Sequence, residues 1–379
     1  DRFYRVSDLL LARQSQIERS LRERQSSLFN LRRTVLLYDL TNTHFEGLCK
    51  RNPKAKRGAN KQKRNDCAQI VVGMVFDQFG FEMAHKVFEG TLHDSKSLLE
   101  IIGELNAIVA DGKEKPLVVM DAGVATRKNL NLLHEHGFGY LVNDSRGQRK
   151  RYLEAFRGQK DFHMVQGREG KEPVWVRVLD DPQAVDQGHV PTERVVLCKS
   201  QPRGNKEQAI LSNAERRLLD ALRKLALRVE QKRLRNRSKI EQALGCIQAR
   251  HPRARRFYEI KLEDDGKGLR LTWTRKDALH QEAADLFGCY VLRTDEQTLN
   301  KHQLWQLYIS LTQAEDGFKA LKTDLGLRPN PHQKEERVDA HVFICVLAYH
   351  LLRNILWTLE QKGDCRDWET LKRVLRTHC

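Results

Sequence analysis

Apolar and polar positions along the 379-residue chain switch between a two-residue and a near-four-residue rhythm, and the switches mark its elements. Residues 34–42 (TVLLYDLTN) form an apolar, β-prone run, the pattern of a buried strand, and it ends at a carboxylate. Residues 69–77 (QIVVGMVFD) and 81–90 (FEMAHKVFEG) predict two strands joined at Gln78-Phe79-Gly80. Residues 95–110 carry apolar side chains at 98, 99, 102, 105, 108 and 109, the spacing of an amphipathic helix. Residues 115–123 (KPLVVMDAG) predict a fourth strand, again ending on aspartate. Thr126 is placed to cap a helix running to His136, and 139–143 (GYLVN) predicts a fifth strand. Strand, hairpin, helix, strand, helix, strand is a mixed α/β order.

Past residue 145 the texture changes. Residues 160–200 read as short strands punctuated by Gly, Pro and Asp, and 206–250 as two charged helices. The first of these has an apolar stripe at Ile210, Ala214, Leu218, Leu222, Leu225 and Val229. Residues 256–274 predict a hairpin around Asp264-Asp265-Gly266, 288–294 (GCYVLRT) a strand, and helices dominate from Leu299 onward. The expected segments are therefore linking helices over 1–33, an α/β core in two parts (34–149 and 286–379), and a mixed β/helical insertion over 150–285. The chain opens on Asp1 rather than Met, consistent with a DNA-binding piece cut away before it.

Charge changes the picture more than hydropathy does. Lys and Arg number 67 against 50 Asp and Glu, a net charge of +17, which favours polyanionic partners through counterion release. Forty per cent hydrophobic residues exclude general disorder. The charged N-terminal stretch carries no secretory signal. Residues 342–349 are apolar, but His350, Arg353 and Asn354 follow, leaving a segment too short and polar for a membrane span. The eight cysteines are scattered without a C-x-x-C pair and read as reduced cytosolic thiols. From Lys50 to Arg64 eight residues are basic and none acidic, an exposed loop suited to a phosphate backbone.

Asp39 and Asp121 share a setting, each directly after four apolar strand residues. A carboxylate there is costly unless paired, hydrogen-bonded or metal-bound. Alone, either is as readily a turn-capping aspartate. Two such strands followed by an acidic helix suit a two-metal phosphoryl-transfer site, because carboxylates are hard oxygen ligands for Mg²⁺ or Mn²⁺. The third ligand comes from 299–325, where Tyr308, Leu311, Glu315, Phe318 and Lys322 fall at helical spacing on one face. Asp316 lies about 100° round that helix and fits less well. The ordinary alternative is a surface helix with a solvated Glu315–Lys319 pair.

Those residues carry a resemblance. The segment YISLTQAEDGFKALKTDL resembles the signature helix of DDE insertion-sequence transposases of the IS-four superfamily: Tyr, two residues, Arg, three residues, Glu, six residues, Lys. Tyr308, Glu315 and Lys322 fall in register, whereas Leu311 stands where the signature has Arg. VLLYDLTNTHFEG resembles the family's first-Asp strand, LVVMDAGVAT the second, and GTLHDSKSL the segment whose acidic residue, here Asp94, has a supporting role. His341 matches the helix after the signature.

The resemblance implies a ribonuclease H-like mixed sheet flanked by helices, with a large insertion before the Glu-bearing helix. It implies Mg²⁺-dependent strand cleavage at transposon ends and strand transfer to target DNA. Asp39, Asp121 and Glu315 would hold two ions, with Mn²⁺ a substitute. Lys322 and Tyr308 would contact the DNA end, and Lys54, Lys56, Arg57, Lys61, Lys63 and Arg64 the backbone. Partners would be terminal inverted repeats, target DNA and a second copy of the chain, with no membrane, in a bacterial nucleoid-associated cytoplasmic setting. Trp273 and Trp305 are candidates to stack on an extruded base, packing being the ordinary alternative. A nuclease that does not join strands, and a DNA-binding protein with a decayed site, are the rival readings.

Overall fold

β-Branched and aromatic side chains at period two, broken by Gly and Asp turns, make the first half of the chain a sheet with helical crossovers. A computed structural model describes residues 2–29, 35–58, 64, 66–109, 116–158, 161–165, 172–180, 193–264, 266 and 268–377. In chain order its elements are α1 (Arg2–Leu11), α2 (Gln14–Phe29), β1 (Val35–His44), β2 (Gln69–Asp77), β3 (Glu82–Glu89), α3 (Asp94–Ile108), β4 (Leu117–Met120), α4 (Arg127–Glu135) and β5 (Tyr140–Asn143). Then come α5 (Leu153–Arg157), β6 (His163–Val165), β7 (Val174–Asp180), β8 (Arg194–Ser200), α6 (Gln201–Glu230), α7 (Arg237–Arg250), α8 (Pro252–Arg255), β9 (Tyr258–Asp264), β10 (Leu269–Arg275), α9 (Asp277–Asp285) and β11 (Cys289–Thr294). Four helices close the chain: α10 (Lys301–Ile309), α11 (Leu311–Thr323), α12 (Glu335–Glu360) and α13 (Trp368–Arg376).

The chain divides into two units, one of residues 1–144, 180–195 and 293–379, the other of 145–179 and 196–292. In the first, the strands run in the order β3-β2-β1-β4-β5. β2 is antiparallel to β1 and to β3, whereas β4 is parallel to β1 and to β5. This is the mixed, helix-flanked sheet of a ribonuclease H-like domain. Leu36, Tyr38 and Leu40 of β1 join Val118 and Met120 of β4 in one core with Leu98, Ile101 and Leu105 of α3 and Leu130 and Leu133 of α4. Because side chains alternate along a strand, Leu37, Asp39 and Val119 face the other way. On that opposite face Phe76 of β2 meets Phe318 of α11 and Tyr349 of α12 edge to face. Gly73 of β2 leaves room for its neighbours: a Cβ there would lie 2.7 Å from the Phe88 ring.

Two expectations need correction here. The helix expected over 299–325 is two helices, α10 and α11, separated at Ser310. The apolar segment expected to stop at 349 belongs to a 26-residue helix that is, by length and composition, long and apolar enough to cross a membrane. Two of the three polar residues thought to interrupt it are buried and paired, His350 with Glu82 and Arg353 with Glu360.

The second unit has strands in the order β11-β8-β7-β6, and a separate two-stranded sheet of β9 and β10. α6, α7, α8 and β10 enclose Leu218, Leu222, Leu225, Val229, Ile240, Leu244 and Leu271. Ile210, expected in the apolar stripe of α6, is 40% exposed, and Leu211 takes the buried place at that turn.

Candidate active site

The parallel pairing of β1 with β4 places Tyr38 opposite Met120, so Asp39 and Asp121 follow at the same level on neighbouring strands. Backbones so paired lie about 4.8 Å apart. Asp39 is half-buried, and its Oδ1 accepts the Leu40 amide at 2.7 Å. Asp121 stands just past the end of β4, exposed, and its carbonyl accepts the amides of Val124 and Ala125. Beneath them Tyr38 is wholly buried, and burial first, then the charges of Asp39 and Asp94, hold its hydroxyl above the ordinary phenol range.

Glu315 is carried by α11, which packs on β1 and β2. The buried stripe of α11 is Ala314, Gly317, Phe318 and Leu321. Gly317 permits the close approach, since a Cβ there would lie 2.9 Å from the Phe76 ring. Glu315 flanks that stripe, exposed, on the same side of the helix as Phe318 and Lys322. Lys322 sits half-buried with Nζ 5.6 Å from the centre of the Phe318 ring. Asp316, one position round, contributes to the electrostatics of the buried Tyr349 of α12. Tyr308 is half-buried on α10, a separate helix from the α11 that carries Glu315, the two meeting at Ser310.

Asp94 opens α3, and its Oδ2 would lie 2.9 Å from a Cβ on Gly123, two residues beyond Asp121. A polar cleft of about 420 Å³ adjoins it, walled by Gly58, Gly90, Thr91, His93, Asp94 and Gly123. His341 lies on α12, where its Nε2 is 3.0 Å from the carbonyl of Gly326, and burial pulls its pKa down.

The basic loop is only partly as expected. Lys54 is not a free surface cation: its Nζ lies 2.7 Å from Asp339 and 3.0 Å from Glu335. Burial opposes its charge, yet those two carboxylates raise its pKa. Arg64 grips Asp66 through two nitrogens at 2.8 and 2.9 Å, so its charge is largely answered locally. Lys56 and Arg57 are exposed, and Lys61 and Lys63 lie outside the described residues. Trp305 is buried, and Trp273 packs against the helical core of the second unit.

Three carboxylates with hard oxygen donors fit divalent metal chemically. Their oxygens are not all within 4.8 Å of one another. A pair of ions roughly 3.5–4 Å apart needs a wider ligand set than one ion does. Among the described residues the one tight group of potential ligands is Glu18, Glu82 and His85. All three are buried, and both oxygens of Glu82 are taken by imidazoles: Oε1 by His85 at 3.1 Å, Oε2 by His350 at 3.0 Å. Glu18 reaches the same His85 nitrogen at 3.0 Å. With no open position, this cluster is an ion network joining α2, β3 and α12. Nothing in the sequence spacing linked those four residues.

Residues 30–351 match the family model described as the transposase DDE domain. Among solved structures, the chain resembles a cryo-electron microscopy structure of a piggyBac transposase synaptic complex with hairpin DNA, at 10% identity and a TM-score of 0.41. That alignment covers 90% of this chain but only 51% of the other, so the chain spans about half the length of that relative. No curated protein matches it.

Proposed function

The chain belongs to the transposase DDE-domain family, and from that premise we propose that it cleaves DNA at the ends of a mobile element and joins the freed strand to target DNA. The observation that carries the site assignment is the register of β1 with β4, which sets Asp39 beside Asp121 on the sheet face that α11 covers. Divalent metal is the cofactor of this family. We read Asp39, Asp121 and Glu315 as its ligands here, with two Mg²⁺ ions and Mn²⁺ as a substitute. Bound metal supplies Lewis-acid stabilisation of the attacking and leaving oxygens.

The protein's own part is placement. β1 holds Asp39 within the sheet and β4 delivers Asp121 just past its end, which we read as placing both backbones before substrate arrives. Asp94, held against the loop after Asp121, is read as a supporting carboxylate. Lys322, steadied on the Phe318 ring, offers a point charge for a terminal phosphate. Tyr308 offers a hydroxyl or a ring to the DNA end. Lys56 and Arg57, with Lys61 and Lys63, are read as backbone contacts. Residues 150–285 are read as an insertion in the core, and paired ends would be held by two copies of the chain in a bacterial cytoplasm.

The test uses duplexes carrying the inverted repeats that flank the gene, uncut for cleavage and pre-cleaved for joining. Asp39→Ala, Asp121→Ala and Glu315→Ala should each lower Mg²⁺-dependent cleavage by about 10³-fold, the worth of several kcal/mol of charge stabilisation. DNA affinity and melting temperature should stay at parental values. Parental cleavage in all three would overturn the assignment, and cleavage without joining of pre-cleaved ends would make the protein a nuclease.

A further inference from the structure

The turn between α6 and α7 breaks the charge rule for a helix start. Residues 228–239 read RVEQKRLRNRSK, six cations to one acid, and Arg228, Lys232, Arg233, Arg235, Arg237 and Lys239 are all exposed. Arg237 pairs with Glu241 at 2.9 Å. The other five form no ion pair among the described residues. α7 begins at Arg237 with no acid in its first turn, so Arg235, Arg237 and Lys239 crowd the end where the backbone dipole is already positive. That arrangement is unfavourable for the isolated helix and is relieved by an anion placed there.

The cations are also held on a rigid support. Arg233 and Leu234 both donate backbone N–H bonds to the Arg228 carbonyl, at 3.0 and 3.1 Å. Lys232 sits at φ +57°, and the Asn236 side chain caps the Lys239 amide at 3.1 Å. Leu234 is partly buried and packs against the core cluster that includes Val229, Ile240 and Leu244. Beside it opens a cleft of about 630 Å³, edged by Lys232, Arg235, Arg237 and Arg270 against Glu230 and Asp264.

We propose that this turn is a docking surface for the phosphate backbone of duplex DNA, one whose binding does not depend on the chemistry of Asp39, Asp121 and Glu315. Residues 228–239 contain no aromatic residue, and Trp273 is committed to the core beneath. The surface therefore lacks the stacking platforms that single strands use. Contacts of this kind position the nucleic acid without reading its sequence.

The test measures binding of the full chain to a 30-base-pair duplex of arbitrary sequence in EDTA, across a series of KCl concentrations. A variant carrying Lys232→Gln, Arg233→Gln, Arg235→Gln and Lys239→Gln should bind on the order of 10- to 100-fold more weakly near 0.1 M salt. Its slope of log affinity against log salt should be shallower by about 2 to 4, since each phosphate contact contributes roughly 0.9. Lysine-reactive footprinting of the unaltered protein reads the same surface without a substitution, and Lys232 and Lys239 should be protected when duplex is added. An unchanged salt slope in a folded variant, absence of that protection, or tighter binding to a single strand of the same length would each overturn the proposal. Asp39→Ala should bind like the parent in this assay, so loss of the catalytic reading would leave this one standing.

Discussion

Two carboxylates and one lysine show how far a residue's neighbours in sequence describe its setting. Asp39 and Asp121 could be picked out because the strand preceding each is apolar, and burial is expensive for a charge. Lys54 could not be read the same way: its partners Glu335 and Asp339 lie some 280 positions away. It tethers the loop to α12, so Lys54→Met is expected to cost about 1 kcal/mol of stability, the scale of a partly exposed ion pair. Denaturant unfolding would measure that, with DNA affinity changing less than twofold. By contrast Arg57→Gln should leave stability alone and weaken DNA binding. A Lys54 variant that lost DNA affinity at full stability would return that residue to the DNA surface.

Helical periodicity over 299–325 predicted helix throughout but not the interruption at Ser310. Spacing is blind to a break at a helix-compatible residue, and Ser310 keeps helical backbone angles even as it ends α10. The Asn300–Gln303 capping box that starts α10 is local chemistry, seen only once the structure showed where that helix begins. Gly317 is a different matter, since glycine inside a helix reads as a weakness until Phe76 is seen against it. Gly317→Ala should destabilise the fold by roughly 1–3 kcal/mol despite its better helix propensity, because the new methyl meets a packed ring and the Tyr349 hydroxyl. A thermal melt at or above the parent's would show that α11 has slack on the sheet.

Across the whole first unit, the buried network of Glu18, Glu82, His85 and His350 ties α2 and α12 to β3. Burial pulls the His85 pKa down, but bonds to Glu18 and Glu82 outweigh it and hold it up at about 10. Burial pushes Glu82 up, and the two imidazoles outweigh that and hold it at about 2. His85 therefore stabilises the fold fully below its ordinary value of 6.5 and loses that contribution as pH rises toward 10. Glu82 contributes above 4.5 and loses its share as pH falls toward 2. The network is at full strength between those two ordinary values. Melting temperature should fall more steeply from pH 6.5 to 9.5 in the parent than in His85→Gln or Glu18→Gln. Parallel slopes in all three would remove His85 from the account.

The sequence by itself determined the strands, their order of appearance, the amphipathic helices and the basic character of the chain. Each of these depends on side chains a few positions apart, and local spacing records such relations. Tertiary structure alone decided which strand lies beside which, and so that Asp39 and Asp121 share one level on neighbouring strands. It also decided that Lys54 is spent on α12, that Glu82 and His85 sit between helices from opposite ends of the chain, and that five cations of the α6–α7 turn are left without an ion-pair partner among the described residues. Charge and burial act through space over a few ångströms, and the chain brings positions hundreds of residues apart within that range only once it has folded.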